Sequence, residues 1–471
     1  MSGRFDAVII GAGPAGLGAA IVLAERQVRV LLLDEQPAPG GQIYRAIETV
    51  TAYQAELFEK LGADYAQGDE LVAKFRTCGA EYRPLRSVWQ VVPGSDGVPH
   101  EIWVSHAGQS EVVQADNVVI ATGAMERPVP VLGWTLPGVM TAGAVQVLLK
   151  SAALVAEGIV LVGSGPLLYL LGAQCAAAGA RVTAVLDTTS RDNMRAALPG
   201  LARAMRGAGP GYLVKGLGLK ARLRRAGVPV YGAVTDIKLL GGAAVTDVSF
   251  RSHGRAMWLS TTLVALHEGV IPAQQMARSI GCAFEWNRVQ RYFEPAVDLW
   301  GNSSVAGILI AGDGAGIGGA RASEFSGRAA AAEVLRRLGR VDEAGRDTMS
   351  AGDRRARQAH LAIRPFLDRL YAPPPWVLRP ADDVTVCRCE EITAGTVRGV
   401  AAQGCQGPNQ AKSFVRVGMG PCQGRMCGPV VSELFAEVRR ESVVEVGYYR
   451  VRPPLKPITI GELAGVALPS A

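Results

Sequence analysis

The sequence predicts an α/β protein with two dinucleotide-binding units, one inserted in the other, followed by a small and mainly helical domain. Two observations support the α/β assignment: a glycine-rich strand–turn–helix–strand unit begins at residue 6, and a second begins at residue 158. A third observation adds the small domain, because four cysteines gather near the C-terminus as C-x-C and C-x-x-x-x-C. At 471 residues the chain is long enough for about three domains.

Charge and cysteine usage narrow the classes of protein that this sequence can encode. The formal net charge is +7, and the Arg-rich stretches 203–225 and 336–357 have helical periodicity without interleaved aromatic residues. We interpret them as solvated helix faces, with an acidic partner or anionic ligand as the alternative, and expect no nucleic-acid surface. Eight cysteines in a chain of this length do not make a disulfide scaffold, which predicts a reducing and therefore cytoplasmic compartment.

Residues 158–180 carry no charge and are numerous enough to span a bilayer. They contain GSGPLL, however, and Gly-x-Gly-Pro is poorly suited to a spanning helix. We interpret the stretch as a buried strand, a tight turn and a core helix, so no membrane span is expected.

The first unit covers residues 6–35 and reads DAVIIGAGPAGLGAAIVLAERQVRVLLLDE. Gly11 permits a tight turn after the first strand, Gly13 lets backbone N–H groups approach a pyrophosphate, and Gly16 lets the helix pack closely on the sheet. The candidate phosphate-binding residues of the turn are Gly11, Gly13, Pro14, Ala15 and Gly16. An acid at the end of the second strand is expected to bind a ribose, and the sequence does not separate Asp34 from Glu35 in this role.

Three later segments indicate which nucleotide the first unit holds. PAPGGQIYR follows the acid, VVIATGAMERP places a second motif at a strand end, and SVAGILIAGDGAG places a third. Their candidate residues are Gly41, Gln42, Ala121, Thr122, Gly123, Gly312 and Asp313. Over about residues 5–334, the three motifs together resemble the two-dinucleotide-binding-domain flavoproteins.

This resemblance implies FAD as the cofactor. In that family the glycine-rich turn holds the FAD pyrophosphate, the strand-terminal acid holds the adenosine ribose, and the aspartate of the third motif bonds the ribityl chain. Carried over to this sequence, Asp313 takes the last role, and a helix N-cap after the strand is its alternative interpretation.

A second unit, GIVLVGSGPLLYLLGAQCAAAGARVTAVLDT, repeats the pattern over residues 158–188. Gly163 and Gly165 fill the first two glycine positions, but Leu168 fills the third, where it pushes the helix away or requires small residues opposite. Asp187 ends the second strand and would disfavour a 2′-phosphate. NAD(H), another nucleotide and no ligand at all stay open for this unit. The region contains no C-x-x-C, which excludes disulfide chemistry of the thioredoxin-reductase type.

The four clustered cysteines are Cys387 and Cys389 in VCRCEEIT, and Cys422 and Cys427 in GMGPCQGRMCG. Soft thiolates at such spacing select iron–sulfur or zinc, and both pairs precede helix-like segments whose N-termini stabilise negative charge. The pattern resembles the bacterioferritin-associated ferredoxin type of [2Fe–2S] domain, in which four such cysteines ligate two irons. A Cys₄ zinc site is the alternative, but a flavin unit in the same chain favours the redox metal.

Together the motifs GAGPAG, DEQPAPGGQIYR, ATGAMERPVPVLGWTLPGVMTAGAVQ, GSGPLL and VCRCEE with GMGPCQGRMCG cover nearly the whole chain. They resemble the α subunit of bacterial heteromeric flavin-dependent amine dehydrogenases, a group that includes opine oxidases, D-hydroxyproline dehydrogenase and hydrogen cyanide synthase, with sarcosine oxidase α more distant. The resemblance implies a hetero-oligomer with a β subunit of the glycine- and D-amino-acid-oxidase type, which carries its own FAD and oxidises a C–N bond. It leaves open two further features, a small third subunit and FMN at the interface between subunits.

No catalytic residue is predicted, because the sequence shows no acid–base pair, nucleophile or substrate clamp. The flavin and the iron–sulfur centre are expected to do the redox work while the protein sets their potentials. Because Leu168 replaces the third glycine of the second unit, we expect an electron acceptor other than NAD, such as a quinone or an electron-transfer protein. One alternative is an NAD(P)H-dependent ferredoxin reductase with a fused cluster domain, and another is a binding module with structural zinc and a vestigial flavin site.

The order of the motifs sets the expected domain bounds. The FAD-binding unit spans 1–140 and 268–335, the inserted NAD-like unit 141–267, a linker helix region 336–380, the [2Fe–2S] domain 381–441 and an extended C-terminal tail 442–471. The Pro-rich YAPPPWVLRP marks the break before the cluster domain, and the tail is expected to wrap another surface.

Overall fold

The computed structural model describes residues 3–95 and 97–466, and the chain begins with an α/β unit. Its elements up to residue 126 are β1 (Arg4–Ile10), α1 (Pro14–Glu25), β2 (Val30–Leu33), α2 (Ile47–Tyr53), α3 (Ala55–Leu61), α4 (Ala63–Thr77), β3 (Glu81–Arg83), β4 (Ser87–Val92), β5 (His100–His106), β6 (Gln109–Ile120) and β7 (Ala124–Glu126). The four residues of β2 are all apolar and all buried, as expected for a parallel strand that is covered on both faces.

The inserted unit follows with a smaller sheet of its own. Its elements are β8 (Val139–Thr141), α5 (Ala142–Ala152), β9 (Ile159–Ser164), α6 (Pro166–Ala177), β10 (Val182–Asp187), α7 (Arg191–Ala197), α8 (Leu201–Ala204), α9 (Gly209–Arg225), β11 (Val230–Tyr231), β12 (Val234–Gly241), β13 (Val245–Ser252), β14 (Arg255–Ser260) and β15 (Val264–Glu268). The five-stranded sheet has the order β11-β10-β9-β15-β8, and β12, β13 and β14 form a separate antiparallel sheet. The uncharged stretch at residues 158–180 is thus strand, turn and helix.

The chain then returns to the first unit. This part contains β16 (Val270–Pro272), α10 (Gln275–Ile280), β17 (Phe284–Asn287), β18 (Tyr292–Pro295), β19 (Ile308–Ile310) and α11 (Ala320–Arg337). β16 pairs with β7, so the two crossings between the units form a two-stranded antiparallel ribbon. The main sheet has the order β3-β2-β1-β6-β5-β4, and β19 pairs with β6. Because β1, β2, β6 and β19 run parallel, the segments that follow them meet at one edge of the sheet.

The C-terminal part is mainly helical. It contains α12 (Glu343–Leu361), α13 (Arg364–Leu370), α14 (Pro375–Leu378), β20 (Thr385–Cys387), β21 (Ile392–Thr393), α15 (Ala394–Ala402), α16 (Pro408–Val415), α17 (Gly428–Arg439), α18 (Val443–Val446) and α19 (Ile460–Ala464). The buried carboxylate of Glu433 on α17 accepts hydrogen bonds from Arg291 and Arg379, which ties the small domain to the β17–β18 hairpin. Trp134 adds a second tie, because its indole N–H lies 2.7 Å from the carbonyl oxygen of Thr385.

The tail differs from the expected extended chain in two places. Capping boxes at Ser442 and at Thr459 start the short helices α18 and α19, because each hydroxyl and the glutamate three residues later satisfy each other's backbone amides. The stretch between them, 447–459, contains no helix, and the last part of the predicted tail, 467–471, lies outside the described residues.

In the two described stretches, no helix combines the length and the apolar character that crossing a membrane requires.

Candidate cofactor sites

The first glycine-rich turn joins β1 to α1 and is packed so closely that side chains are excluded at its first and third glycines. Gly11 has a φ of +108°, and a Cβ atom there would lie 2.5 Å from the carbonyl oxygen of Ala121. A Cβ atom on Gly16 would lie 1.8 Å from the carbonyl oxygen of Gly11, so α1 packs directly against the turn. Pro14 opens α1, and the unpaired amides of its first turn face the same edge of the sheet, where they favour an anion.

The three later segments of the predicted flavin site lie around this turn. A Cβ atom on Gly41 would lie 2.7 Å from the Cα of Gly13, and one on Gly312 would lie 2.8 Å from the Cβ of Ala15. The hydroxyl of Thr122, next to Gly123 in the second motif, is buried and lacks a hydrogen-bond partner in the described part of the chain. A backbone-lined cradle with an unpaired buried hydroxyl fits a bound dinucleotide.

The structure separates the two candidate acids at the end of β2. Asp34 is buried, and its carboxylate accepts hydrogen bonds from the amide of Ala12 in the glycine turn and, at 2.7 Å, from that of Gln36. Burial raises the pKa of Asp34, although both amides oppose the shift. Glu35 instead forms an ion pair with Lys456 of the tail. Asp34 is therefore the acid that faces the turn.

Asp313 follows β19 and lies in a cleft of the third motif. One of its oxygens, Oδ1, accepts hydrogen bonds from the amides of Gly318 and Gly319, each at 2.8 Å, and from the hydroxyl of Ser323 at 3.1 Å. The capping interpretation thus accounts for one carboxylate oxygen, and the other has no hydrogen-bond partner in the described part of the chain. Arg357 of α12 lines the same cleft, and burial lowers its pKa. Arg357 was not predicted from the sequence, because its helix has the periodicity of a solvated face.

Lys150 of α5 holds the loop that contains the predicted Gln42. Its ammonium group donates to the carbonyl oxygens of Gln42 at 3.4 Å and Ile43 at 2.8 Å, and to the side chain of Gln146 at 3.1 Å. Burial, with a smaller contribution from Arg45, lowers the pKa of Lys150 to about 7. No motif marks this lysine, which links the inserted unit to the flavin-type cradle.

The second glycine turn, between β9 and α6, has a carboxyl group behind it. A Cβ atom on Gly163 would lie 1.8 Å from the carbonyl oxygen of His267. The next residue of β15, Glu268, is fully buried and accepts hydrogen bonds from the hydroxyls of Ser164 at 2.8 Å and Thr188 at 2.6 Å. Burial raises the pKa of Glu268 to about 7, against the effect of these two hydroxyls. In its ionised form, a carboxyl group so close to the turn disfavours the phosphates of a dinucleotide.

The strand-end acid of the second unit is also engaged within the chain. Asp187 accepts hydrogen bonds from the hydroxyl of Tyr169 on α6 and, at 2.9 Å, from the amide of Thr189. Gly165 keeps a φ of +108°, as Gly11 does in the first turn. Leu168, which replaces the third glycine, is completely buried and packs in the core of the inserted unit.

The four clustered cysteines meet as two adjacent pairs. The pKa values of Cys387 and Cys427 affect each other, and so do those of Cys389 and Cys422, which makes the members of each pair neighbours. The neighbouring Cys427 thiol, aided by backbone amides, lowers the pKa of Cys387 to about 6, and Cys387 in turn raises the pKa of Cys427 well above its ordinary value. Cys387 and Cys427 form the buried inner pair, whereas Cys389 is exposed.

The donor set suits a two-iron centre. Within residues 3–95 and 97–466, no three His, Cys, Asp or Glu side chains surround one metal position. Two neighbouring thiol pairs match a [2Fe–2S] cluster, because each iron of such a cluster takes two cysteines. Helix α17 begins directly after Cys427, and the positive end of its dipole favours negative charge on that sulfur.

Comparison with known proteins finds families that match the flavin-type unit and the cysteine cluster. Residues 5–346 match the pyridine nucleotide-disulphide oxidoreductase family, and residues 385–437 match the BFD-like [2Fe-2S] binding domain. An opine oxidase subunit of Rhizobium meliloti (strain 1021) is 45% identical over 99% of this chain and 99% of the relative. Hydrogen cyanide synthase subunit HcnB of Pseudomonas aeruginosa is 32% identical over 96% of each chain.

Among solved structures, L-proline dehydrogenase from P. horikoshii superimposes with a TM-score of 0.70 at 18% identity, over 98% of this chain and 80% of that one. This likeness shows the fold, and with the two family matches it confirms the predicted fold class. The predictions of FAD and of a [2Fe–2S] cluster are confirmed at the level of the family, and so is the prediction of an oxidoreductase. The chain belongs to the pyridine nucleotide-disulphide oxidoreductase family and carries a BFD-like [2Fe–2S] domain at its C-terminal end.

Proposed function

We propose that the chain is the electron-transfer subunit of a heteromeric dehydrogenase. In this proposal a partner subunit oxidises the C–N bond of an opine, of D-hydroxyproline or another proline-like imino acid, or of another secondary amine. The chain passes the electrons to an acceptor other than NAD. The observation that carries the proposal is the combination in one chain of a flavin-type cradle, a four-thiol centre and a second glycine turn backed by the buried carboxyl of Glu268.

The proposed FAD contacts follow from the first cradle. Its pyrophosphate is held by the turn of Gly11, Gly13, Pro14, Ala15 and Gly16, with Gly41, Gln42, Ala121, Thr122, Gly123 and Gly312 around it. Asp34 rather than Glu35 holds the adenosine ribose, because only Asp34 faces the turn. Asp313 uses its free oxygen for the ribityl chain.

The proposed iron ligands are Cys387, Cys389, Cys422 and Cys427. When bound, FAD accepts electron pairs and the cluster exchanges single electrons, so the two groups together convert a two-electron oxidation into one-electron steps. The exposed residue Cys389 marks the side of the site that an electron partner can approach.

For the inserted unit we propose a fold that is retained without a working NAD site. Gly163 and Gly165 keep the turn, but the carboxyl of Glu268 lies behind it and the hydroxyl of Tyr169 bonds Asp187. The proposed domain bounds are those given by the motifs, with the flavin unit at 1–140 and 268–335, the inserted unit at 141–267, linker helices at 336–380, the cluster domain at 381–441 and the tail from 442.

The proposed partner is a β subunit of the glycine- and D-amino-acid-oxidase type with its own FAD. The relatives from opine oxidase and from hydrogen cyanide synthase are subunits by name, which supports a hetero-oligomer. FMN at the interface and a small third subunit belong to the same proposal. All eight cysteines lie in the described part of the chain and are free thiols, which suits a reducing cytoplasmic compartment.

The test compares the purified chain with its complex with the flavoprotein encoded beside it. We expect the chain to contain flavin, iron and acid-labile sulfide. We also expect that only the complex reduces a dye with opines, hydroxyproline, glycine or sarcosine. A chain that alone oxidised one of these at the rate of the complex would contradict the proposal that the substrate is oxidised in a partner.

An NAD(P)H-dependent ferredoxin reductase with a fused cluster domain is the second candidate, favoured by the inserted dinucleotide-type unit. Anaerobic mixing with NADH or NADPH separates the two functions. We expect the flavin absorbance to persist, whereas stoichiometric bleaching within seconds would identify the reductase.

A further inference from the structure

The tail contributes a tyrosine to the core of the cluster domain. Tyr449 lies beyond the region that matches the [2Fe–2S] domain, yet only 2% of it is exposed, and it packs among the residues that bury Cys387 and Cys427. Its ring fills a slot between Gly418 and Gly424. A Cβ atom on Gly418 would lie 2.5 Å from the ring Cζ, and one on Gly424 would lie 2.3 Å from Cδ2, so only glycine leaves room for the ring.

This slot aims the hydroxyl of Tyr449 at one of the cluster cysteines. The oxygen lies 3.8 Å from the sulfur of Cys427, and in the described part of the chain it has no other hydrogen-bond partner. A ligating thiolate carries no proton, so the hydroxyl becomes the donor once Cys427 binds iron. The preceding Tyr448 differs, because its hydroxyl donates to the carbonyl oxygen of Gly424 at 3.3 Å.

We propose that Tyr449 is a positioning residue that raises the reduction potential of the cluster by donating a hydrogen bond to the sulfur of Cys427. Reduction adds one electron to the cluster, and a donor to a ligand sulfur stabilises the added negative charge more than it stabilises the oxidised form. The inference rests on the proposed role of Cys427 as an iron ligand. It is independent of the substrate and of the partner that oxidises it.

The test is an anaerobic titration of the full-length holoprotein with dithionite, in which electron paramagnetic resonance reports the reduced cluster. Tyr449→Phe keeps the ring in its slot and removes only the hydroxyl. We expect the ratio of reduced to oxidised cluster at a fixed potential to fall about tenfold, which is a downward shift of about 59 mV for a one-electron couple. The matched variant Tyr448→Phe removes a hydroxyl that donates to a carbonyl, and its potential is expected to stay that of the parent.

An unchanged potential in Tyr449→Phe, with the cluster intact, would overturn the proposal, and so would equal shifts in the two variants. If Tyr449→Phe fails to hold a cluster, 3,5-difluorotyrosine placed at position 449 decides the matter. This residue is a stronger donor of nearly the same shape, so an upward shift supports the proposal and an unchanged potential overturns it. Cys427→Ala tests the ligand set separately: we expect it to lose iron, and full iron content would contradict the proposed ligands rather than the role of the tyrosine.

Discussion

The two glycine-rich turns of this chain share the positions of their first two glycines but differ in their surroundings. In the first, the strand-end acid Asp34 faces the turn and accepts a hydrogen bond from its backbone. In the second, the corresponding Asp187 accepts a tyrosine hydroxyl, and the buried carboxyl of Glu268 lies behind the turn. The glycine spacing therefore identifies the strand–turn–helix unit, while side chains from elsewhere in the chain determine what the turn can bind.

The largest expected effect is on flavin content, when one glycine is substituted in each of the two turns. Gly13 has an ordinary φ of −79°, and a Cβ atom there would be 3.9 Å from its nearest neighbour, so the folded protein tolerates a side chain that blocks the phosphate approach. We expect Gly13→Val to lower flavin content at least about tenfold, a cost of about 1.4 kcal/mol or more. In Gly165→Ala we expect full flavin content but weaker folding, because its φ is +108°.

Absorbance of bound flavin and urea unfolding of the flavin-free forms measure the two effects. Full flavin content in Gly13→Val would show that the pyrophosphate does not lie at this turn. Equal loss of flavin in both variants would make the two turns equivalent.

The two strand-end acids form the next comparison. Asp34→Asn removes the charge that is proposed to hold the ribose, so we expect the affinity for FAD to fall about tenfold to a hundredfold, the range for a hydrogen bond to a charged group. Asp187→Asn, the matched change in the second unit, is expected to leave that affinity within about twofold. Titration of flavin-free protein with FAD measures both, and Glu35→Gln serves as a control for the neighbouring acid. A larger loss in Glu35→Gln than in Asp34→Asn would reverse the ribose assignment.

The carboxyl behind the second turn predicts a dependence of stability on pH. Burial raises the pKa of Glu268 from 4.5 to about 7, so between these pH values the folded protein keeps a proton that the unfolded chain has lost. The contribution of Glu268 to stability is therefore present below about pH 4.5, falls as the pH rises to about 7 and stays lost above it. We expect Glu268→Gln to remove this dependence and to be more stable than the parent at pH 8 by about 1–3 kcal/mol.

Urea unfolding at pH 5 and pH 8 measures this dependence. Glu157→Gln, at an exposed position paired with Arg181, is the control and is expected to keep the slope of the parent. Parallel behaviour of Glu268→Gln and the parent would mean that Glu268 titrates normally.

The glycine turns, the strand-end acids and the thiol pairs could be located from the sequence, because each is a local pattern whose spacing has a direct geometric meaning. It could not separate Asp34 from Glu35, since the direction of a side chain after a strand depends on where the chain turns next. It also contained no signal for Glu268, Arg357 and Tyr449. These residues reach their sites from β15, α12 and the tail, and only the packing of distant segments places them there.

The smallest expected effect concerns the hydroxyl that occupies Asp187. Tyr169→Phe leaves the carboxylate with the amide of Thr189 at 2.9 Å, and we expect a loss of stability of about 1–2 kcal/mol with flavin content unchanged. We also expect no gain in NADH binding, because the carboxyl of Glu268 still lies behind the turn. Fluorescence titration with NADH checks this. Saturable binding by the single variant Tyr169→Phe would show that the tyrosine hydroxyl by itself prevents NADH from binding. If the double variant Tyr169→Phe/Glu268→Gln bound NADH and neither single variant did, the two groups together would be what prevents NADH from binding at the second turn.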